Sequence, residues 1–500
     1  MQFSNTYIHL GERFIDQSRP TPVAAPTLFL WNKRLAVQLE VPGELQQDTE
    51  TLAQVFSGNQ LLPDSEPIAA AYAGHQFGNF NPQLGDGRAH LLGELLDQQG
   101  QRWDLQLKGS GTSAFSRGGD GRCAIKPAIR EYIMSEAMYA LGVPTTQCLA
   151  VTTTGEDVYR QQTTPGAVVA RVASSHIRVG NFQFFAARGD TESLEALANY
   201  TIERHFPSID DAAVDPADKQ RCIDLLDNVI EKQITLIVAW LRVGFIHGVM
   251  NTDNTSINGE TIDFGPCAML GTYEPRAVFS SIDHQGRYAF GNQANIAHWN
   301  MTRFAECLLQ LLDKESDDAG GDTVNPQQLE QVQTLINDFP NRFEVAYLQM
   351  MSNKLGLSST SSENPNKALI DDLLQQLAAL KLDYTITFDQ LTRSLTCNKT
   401  QTHLSTLLGE VFERWWVQVK QQDESVENVQ SLMRRNNPCL IPRNHHIERV
   451  LEECEASGQN LSALAFLEAL QSPYEQTQEA SNYQTADENY DSEYRTFCGT

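Results

Sequence analysis

No Cys-x-x-Cys pair occurs among the nine cysteines (Cys123, Cys148, Cys222, Cys267, Cys307, Cys397, Cys439, Cys454 and Cys498). Their scatter speaks against a structural zinc site or a disulfide framework and fits a reducing compartment. Long apolar runs are missing as well. The longest, Gln233 to Leu241, lies between Lys232 and Arg242 and falls well short of the ~18 residues that a membrane-spanning helix needs. The first residues, Met1 to Gln17, have neither a basic start followed by an apolar core nor an Arg-rich, acid-poor character, so a cytoplasmic protein is expected. Basic side chains are scarce: 37 Lys and Arg stand against 63 Asp and Glu, a formal net charge of −26. Binding to nucleic acid draws on clustered cations, so neither a nucleic-acid nor a membrane partner is expected. No repeat of about 20 to 50 residues recurs, which excludes solenoids and propellers. What remains is globular, 41% hydrophobic and 20% charged over 500 residues, long enough for several domains and a sizeable core.

Four regions are read along the chain. Residues 1–68, with a Pro-rich stretch at Pro20 to Pro26, form a wrapping segment. From Ala69 glycine is dense, and Arg102 to Lys108 alternates so that Trp103, Leu105 and Leu107 share one strand face. Pro127 to Leu141 reads as a helix stopped by Gly142, and Lys219 to Val243 as an amphipathic helix stopped by Gly244. This alternation of strand and helix is an α/β (α+β) pattern, divided here as residues 69–165 and 166–312. Residues 313–500 are mainly helical. They open with a polar loop or linker, Asp313 to Pro326, and break at Ser358 to Pro365. Helical patterns cover Gln327 to Ile336, Lys367 to Leu380, Leu404 to Lys420, His446 to Glu455 and Leu461 to Leu470. The acidic end, Glu475 to Thr500, is expected to be mobile.

The segment after the second helix carries the chemistry. His247-Gly248-Val249-Met250-Asn251-Thr252-Asp253-Asn254 leads through Asn258-Gly259, a hairpin signal, to Asp263-Phe264-Gly265. Long helix, His loop, Asn, hairpin and Asp-Phe-Gly is the order of the catalytic and metal-binding loops of protein-kinase-like folds. A carboxylate and an amide oxygen suit a hard ion such as Mg²⁺, and Asn254 and Asp263 supply that pair. Asn254 keeps the kinase spacing, seven positions after His247. The kinase base, two positions after the His, is here Val249, which cannot accept a proton; Asp253 is the acid nearby.

A kinase-like site also needs a strand Lys paired with a helix Glu. Lys108 ends the strand, and Glu131 and Glu136 both flank the apolar stripe of the following helix, so periodicity leaves both open. Two Gly-Asp-Gly-Arg runs, at 85–88 and 119–122, expose backbone N–H groups beside a guanidinium, as phosphate loops do and as ordinary hairpin turns also do. Arg171 and Arg178 flank a polar turn after the apolar strand Ala167 to Ala170, suited to phosphate or to structural ion pairs. Between Ala69 and Asp190 the charge is +1 (11 basic, 10 acidic), so the acidity lies elsewhere.

At this point the chain resembles the selenoprotein O family of protein adenylyltransferases, called YdiU in bacteria. The resemblance rests on Tyr72 to Gly78, Pro82 to Arg88, Gln106 to Gly109, Ser116 to Arg122, Arg130 to Tyr132, Ser135 to Met138, Arg171 to Arg178, His247 to Asn254 and Asp263 to Pro266. It implies a bilobal pseudokinase fold that binds ATP in a flipped orientation and transfers AMP to protein hydroxyls. It also implies that Lys108 contacts phosphate and pairs with Glu131, and that Arg88, Asp120, Gly121, Arg171 and Arg178 cradle the nucleotide, with Gly85 and Gly87 in the same loop. Asn254 and Asp263 would hold Mg²⁺ or Mn²⁺, and Asp253 would be the base. Many eukaryotic members carry selenocysteine third from the end, where Cys498 stands, and by this resemblance Cys498 pairs with Cys267 in a redox-tuning disulfide. A kinase-type phosphotransferase and a silent ATP-binding scaffold are the rival readings, and UTP is an alternative donor.

Overall fold

The computed structural model describes residues 1–160, 162–212, 219–316, 322–358 and 365–496. Alternating apolar residues build a seven-stranded antiparallel sheet from β1 (Gln2–Phe3), β2 (Thr27–Trp31), β3 (Ala89–Leu96), β4 (Arg102–Lys108), β5 (Cys123–Ala124), β6 (Gln147–Tyr159) and β7 (Thr163–Ala173). The strand order is β1-β3-β4-β7-β6-β2, with β5 attached to β7. Leu105 and Leu107 of β4 and Val168, Ala170 and Val172 of β7 point to one face, where helix Thr49–Ser57 buries Leu52, Val55 and Phe56 against them. The opposite face carries Leu91, Val151, Ala167 and Val169, covered by Ile129, Ile133 and Ala137 of helix α1 (Ile125–Ala140). Period-2 alternation in the strand and 3.6-residue spacing in the helix thus meet in one core.

The helix expected at Lys219 to Val243 spans Gln220–Val243 (α2) and ends on Gly244, whose φ of +78° lies in the left-handed region that favours glycine. The helix expected from Pro127 starts two residues earlier, at Ile125. Beyond residue 312 the described residues are mainly helical, as expected, with three differences. Asp313 to Pro326 is not a bare linker, because Lys314–Ser316 pairs antiparallel with Asp322–Val324. The helix expected to end at Ile336 continues to Lys354 across Pro340. The pattern at Leu404 to Lys420 is two helices, Asn398–Leu408 and Glu410–Gln421, divided at Gly409 with its φ of +55°.

The division at 165/166 falls inside β7, which pairs with β6 from Tyr159↔Thr163 to Gln147↔Val172, with a register shift between Asp157↔Pro165 and Thr153↔Ala167. The acidic end is docked as far as Thr496. The Tyr494 hydroxyl accepts from Arg130 at 2.7 Å and donates to Glu448 at 2.7 Å, and Thr496 Oγ1 donates to the Pro266 carbonyl at 2.8 Å. A buried aromatic body with a satisfied hydroxyl outweighs the acidity of the segment. Among the described residues, no helix is long and apolar enough to cross a membrane.

Candidate active site

Along β4, Asp104, Gln106 and Lys108 face opposite to the leucines, so this strand sends a lysine toward α1. Lys108 is buried, and its Nζ donates to Glu131 Oε2 at 2.6 Å and to Asp263 Oδ1 at 3.1 Å. Of the two candidate partners Glu131 is therefore the one used; Glu136 pairs with Arg34 at 3.2 Å. Arg171 stands beside Gln106 across the β4–β7 ladder, and its Nε meets Glu131 Oε1. Burial opposes charge on Glu131, yet Arg171 and Lys108 hold its carboxyl below the ordinary value. Burial likewise opposes charge on Asp263, and Lys108, Arg171 and Arg88 hold it far below the usual carboxylate range. Asp263 is ionised at neutral pH. Its φ of +66°, uncommon outside glycine, marks it as held by its surroundings.

The loop after α2 is fixed by the short pair Phe245–Ile246 with Ala268–Met269. His247 is buried; its Nδ1 accepts from Val249 N at 3.3 Å, and its Nε2 donates to the Ile262 carbonyl at 2.8 Å. Burial keeps this imidazole neutral, so it ties the Asn254 segment to the Asp263 segment and is not a charged catalyst. Asn258-Gly259 makes the expected turn, with Gly259 N donating to Ser256 O at 3.2 Å. The expected two-stranded ladder does not form, because Ser256 bridges to Arg178 and Thr261 to Thr145.

Asn254 donates through Nδ2 to Val249 O at 3.1 Å and to Asp263 Oδ2 at 3.4 Å. Among the described residues its Oδ1 makes no hydrogen bond, and it is the Nδ2 end of the amide that faces the Asp263 carboxylate. The Asn254 amide oxygen and the Asp263 carboxylate are donor types that could hold a hard divalent ion. Asp253 accepts from Gln76 Nε2 at 3.1 Å through Oδ2, while its Oδ1 is buried without a hydrogen bond. Burial pushes this carboxyl up to about 6, against the pull of Gln76 and Arg178. Arg178 donates to the Asp253 carbonyl at 3.2 Å and lies 4.6 Å over the Tyr72 ring.

The two Gly-Asp-Gly-Arg loops close the other side. A Cβ on Gly87 would lie 2.6 Å from the Phe115 carbonyl oxygen, and one on Gly121, at φ +68°, would lie 2.1 Å from the Gly111 carbonyl carbon. Both loops pack backbone against backbone, where only glycine fits. Together Gly85, Gly87, Arg88, Lys108, Asp120, Gly121, Arg171, Arg178, Asp253, Asn254 and Asp263 line one cavity of about 310 Å³. Glu131 sits behind it, on Lys108. The Asp120 carboxylate is clasped by Arg160 at 2.7 and 2.9 Å. Cys267 lies four residues past Asp263, buried, with its thiol pushed up to about 12 by burial. Cys498 lies outside the described residues.

A cavity that sets Arg88, Lys108, Arg171 and Arg178 around Asp253 and Asp263 suits a polyanion held beside a proton acceptor. The family comparison gives this chemistry its setting: residues 1–471 match the model for protein adenylyltransferase SelO. The chain belongs to the SelO family. It is 49% identical over 500 residues to the protein nucleotidyltransferase YdiU of Teredinibacter turnerae, covering 100% of both chains. The protein of the same name from Pseudoalteromonas translucida is 47% identical, again over 100% of each. That of Bacillus cereus is 47% identical over 99% of this chain and 98% of its own.

Within this SelO-family site, reasoning from sequence assigned no role to Gln76, Tyr72, Asn251 or Arg160, all of which line the cavity. Tyr72 and Gln76 belong to the Tyr72 to Gly78 motif, which was a visible signal without a visible function. Arg160 carried no signal, because its role comes from the hairpin that brings it over Asp120.

Proposed function

We propose that this chain is a protein adenylyltransferase that transfers AMP from ATP to Ser, Thr or Tyr hydroxyls of proteins in the cytoplasm. The observation that carries the reading is Asp253: a buried carboxylate with one unpartnered oxygen, in the same cavity as Lys108, Arg88, Arg171 and Arg178. A strand lysine paired with a helix glutamate, and an Asn and an Asp at the far wall, support a kinase-like bilobal (pseudokinase) arrangement. Val249 fills the kinase base position with an apolar side chain, which turns the reading away from γ-phosphate transfer.

Asn254 and Asp263 would hold Mg²⁺ or Mn²⁺, which when bound supplies charge neutralisation on the phosphates. Lys108 and the three arginines hold the triphosphate, while Glu131 keeps Lys108 and Arg171 in place. Asp253 Oδ1 takes the proton of the acceptor hydroxyl as its oxygen bonds to the α-phosphorus. The bond from that phosphorus to the bridging oxygen breaks, and pyrophosphate leaves. With its carboxyl at about 6, Asp253 is mostly ionised at neutral pH and close in basicity to the medium, as a general base should be. Thr496 docks on the carbonyl of Pro266, the residue before Cys267, which supports the Cys267–Cys498 pairing as a redox control.

The test is to supply ATP labelled at the α or the γ position, or α-labelled UTP, with acceptor proteins. Label from α-labelled ATP alone is expected. Label from γ alone would make the chain a phosphotransferase, no transfer would leave a scaffold, and preference for UTP would change the donor. Asp263→Ala is expected to abolish transfer, and Asp253→Ala to slow it at least about 100-fold at unchanged ATP affinity.

A further inference from the structure

The wall that holds Asp253 continues outward. Gln76 belongs to a small hairpin in which Gly74–Gln76 pairs with Asn79–Asn81. Its turn is anchored to the catalytic loop, since Phe77 N and the Tyr288 hydroxyl both donate to Asn251 Oδ1, at 3.1 and 2.7 Å. The outer strand presents Phe80, 40% exposed, with His75 between it and Trp299 at ring distances of 4.9 and 5.1 Å.

Against this turn lies Arg287. Its guanidinium carbon is 4.6 Å from the Trp299 ring centre and 3.6 Å from where a Cβ on Gly78 would stand. The backbone around it is fixed: Asp283 accepts from the N–H groups of Arg287 and Tyr288 at 2.9 and 2.8 Å, and Asn292 donates to the Arg287 carbonyl at 2.6 Å. Asp283 is thereby committed to the main chain. Among the described residues Arg287 has no ion pair with a carboxylate, and its Nε is buried without a hydrogen bond. Its neighbour Arg303, also stacked on Trp299, has Glu306 at 2.6 Å. In a chain of net charge −26, a positioned cation left without a carboxylate beside the acceptor side of the site calls for a partner from outside.

We propose that Arg287 is a specificity-determining residue that selects acceptor segments carrying Asp or Glu near the modified hydroxyl, with Trp299 and Phe80 as the apolar floor on which the segment lies. This rests on the adenylyltransferase reading above. The spacing follows from the hairpin: Phe77 and Gly78, both at positive φ, form its turn, so Arg287 against Gly78 stands one tight turn from Gln76, which touches Asp253, a span of two or three residues of extended acceptor chain at ~3.3 Å each. The acidic residue therefore belongs two or three positions from the hydroxyl.

The test uses the full chain, α-labelled ATP and short synthetic peptides with one central Ser, Thr or Tyr and Glu, Gln or Lys at each of those positions. A charge-assisted pair of this kind gives a preference of roughly tenfold in kcat/KM for Glu over Lys, carried by KM. Arg287→Glu is expected to reverse the order, and Arg287→Lys to keep its direction. Equal use of Glu and Lys peptides by the unmodified chain, or the same preference in Arg287→Glu, overturns the role of Arg287 and leaves the adenylyltransferase reading intact. Absence of α-label from every peptide and every acceptor protein overturns both.

Discussion

Gly85-Asp86-Gly87-Arg88 and Gly119-Asp120-Gly121-Arg122 share one sequence and border one cavity, yet their charges are used in opposite directions. In the first loop the acid goes inward. Asp86 is buried, accepts from Ala70 N at 3.1 Å and Gln106 Nε2 at 3.2 Å, and faces Arg178 at 3.6 Å, while Arg88 acts on Asp263 from the cavity side. In the second loop the arginine lines the cavity but is tied back to the N-terminal segment. Arg122 donates to the carbonyls of Thr21 and Pro22 at 3.1 and 3.2 Å, and Asp120 stays half-exposed at the rim under Arg160. The glycines set the backbone of both loops; the polar neighbours that the sheet places behind each decide which charge is buried. A repeated tetrapeptide is thus a repeated shape and not a repeated function.

The comparison is broken most directly at Asp86. Asp86→Ala leaves Arg178 buried without its carboxylate, and removing one partner of a buried pair costs about 3 kcal/mol or more; urea unfolding should show it, and a loss below about 1 kcal/mol would make the two loops equivalent. The arginines come next. Arg88→Ala should raise the KM for ATP at least about tenfold, the scale of one charge-assisted contact to phosphate, whereas Arg122→Ala should change it less than about threefold. Equal effects would return Arg122 to the nucleotide.

Glu260 sharpens the contrast as a carboxylate that has no cation paired with it among the described residues. It accepts from Ser174 N and Oγ at 3.2 and 2.9 Å and from Asn258 at 3.1 Å, and burial pushes it up to about 7. A folded-state value above the ordinary 4.5 means that its stabilising contribution is complete below that value and is lost as pH rises through about 7. The urea midpoint should therefore fall between pH 5 and pH 8 by an amount that Glu260→Gln removes; the same fall in the variant would place the titration elsewhere.

How much of this was legible follows the range of the signal. Alternation in Arg102 to Lys108 and the apolar stripe of α2 are local, and both elements form as read. Lys108, Asn254 and Asp263 were legible because their order along the chain is itself the pattern. The choice of Glu131 over Glu136 was not, since it depends on Arg34 arriving from the wrapping segment to occupy Glu136. The ladder at Asn258-Gly259 failed for the same reason: the turn is local, but Arg178 and Thr145 compete for its flanks. Tyr494 was misread within an acidic tail because its partners, Arg130 and Glu448, lie 364 and 46 residues away.

The smallest effect belongs to Asp120. Its carboxylate is tied to Arg160 in a pair whose side chains are 45% and 32% exposed, and partly solvated pairs are worth at most about 1 kcal/mol because water screens them and ordering two side chains costs entropy. Asp120→Ala should therefore cost less than that in unfolding free energy by urea titration, even though Asp86→Ala, at the same position of the same tetrapeptide, unfolds the protein far more readily. The pair should also weaken in high salt, whereas the contacts of Asp86 should not, since burial shields them from mobile ions. Comparing both variants in low and high salt separates the two uses of one sequence: a loss for Asp86→Ala that shrinks in high salt in the same proportion as that for Asp120→Ala would show that burial does not distinguish them.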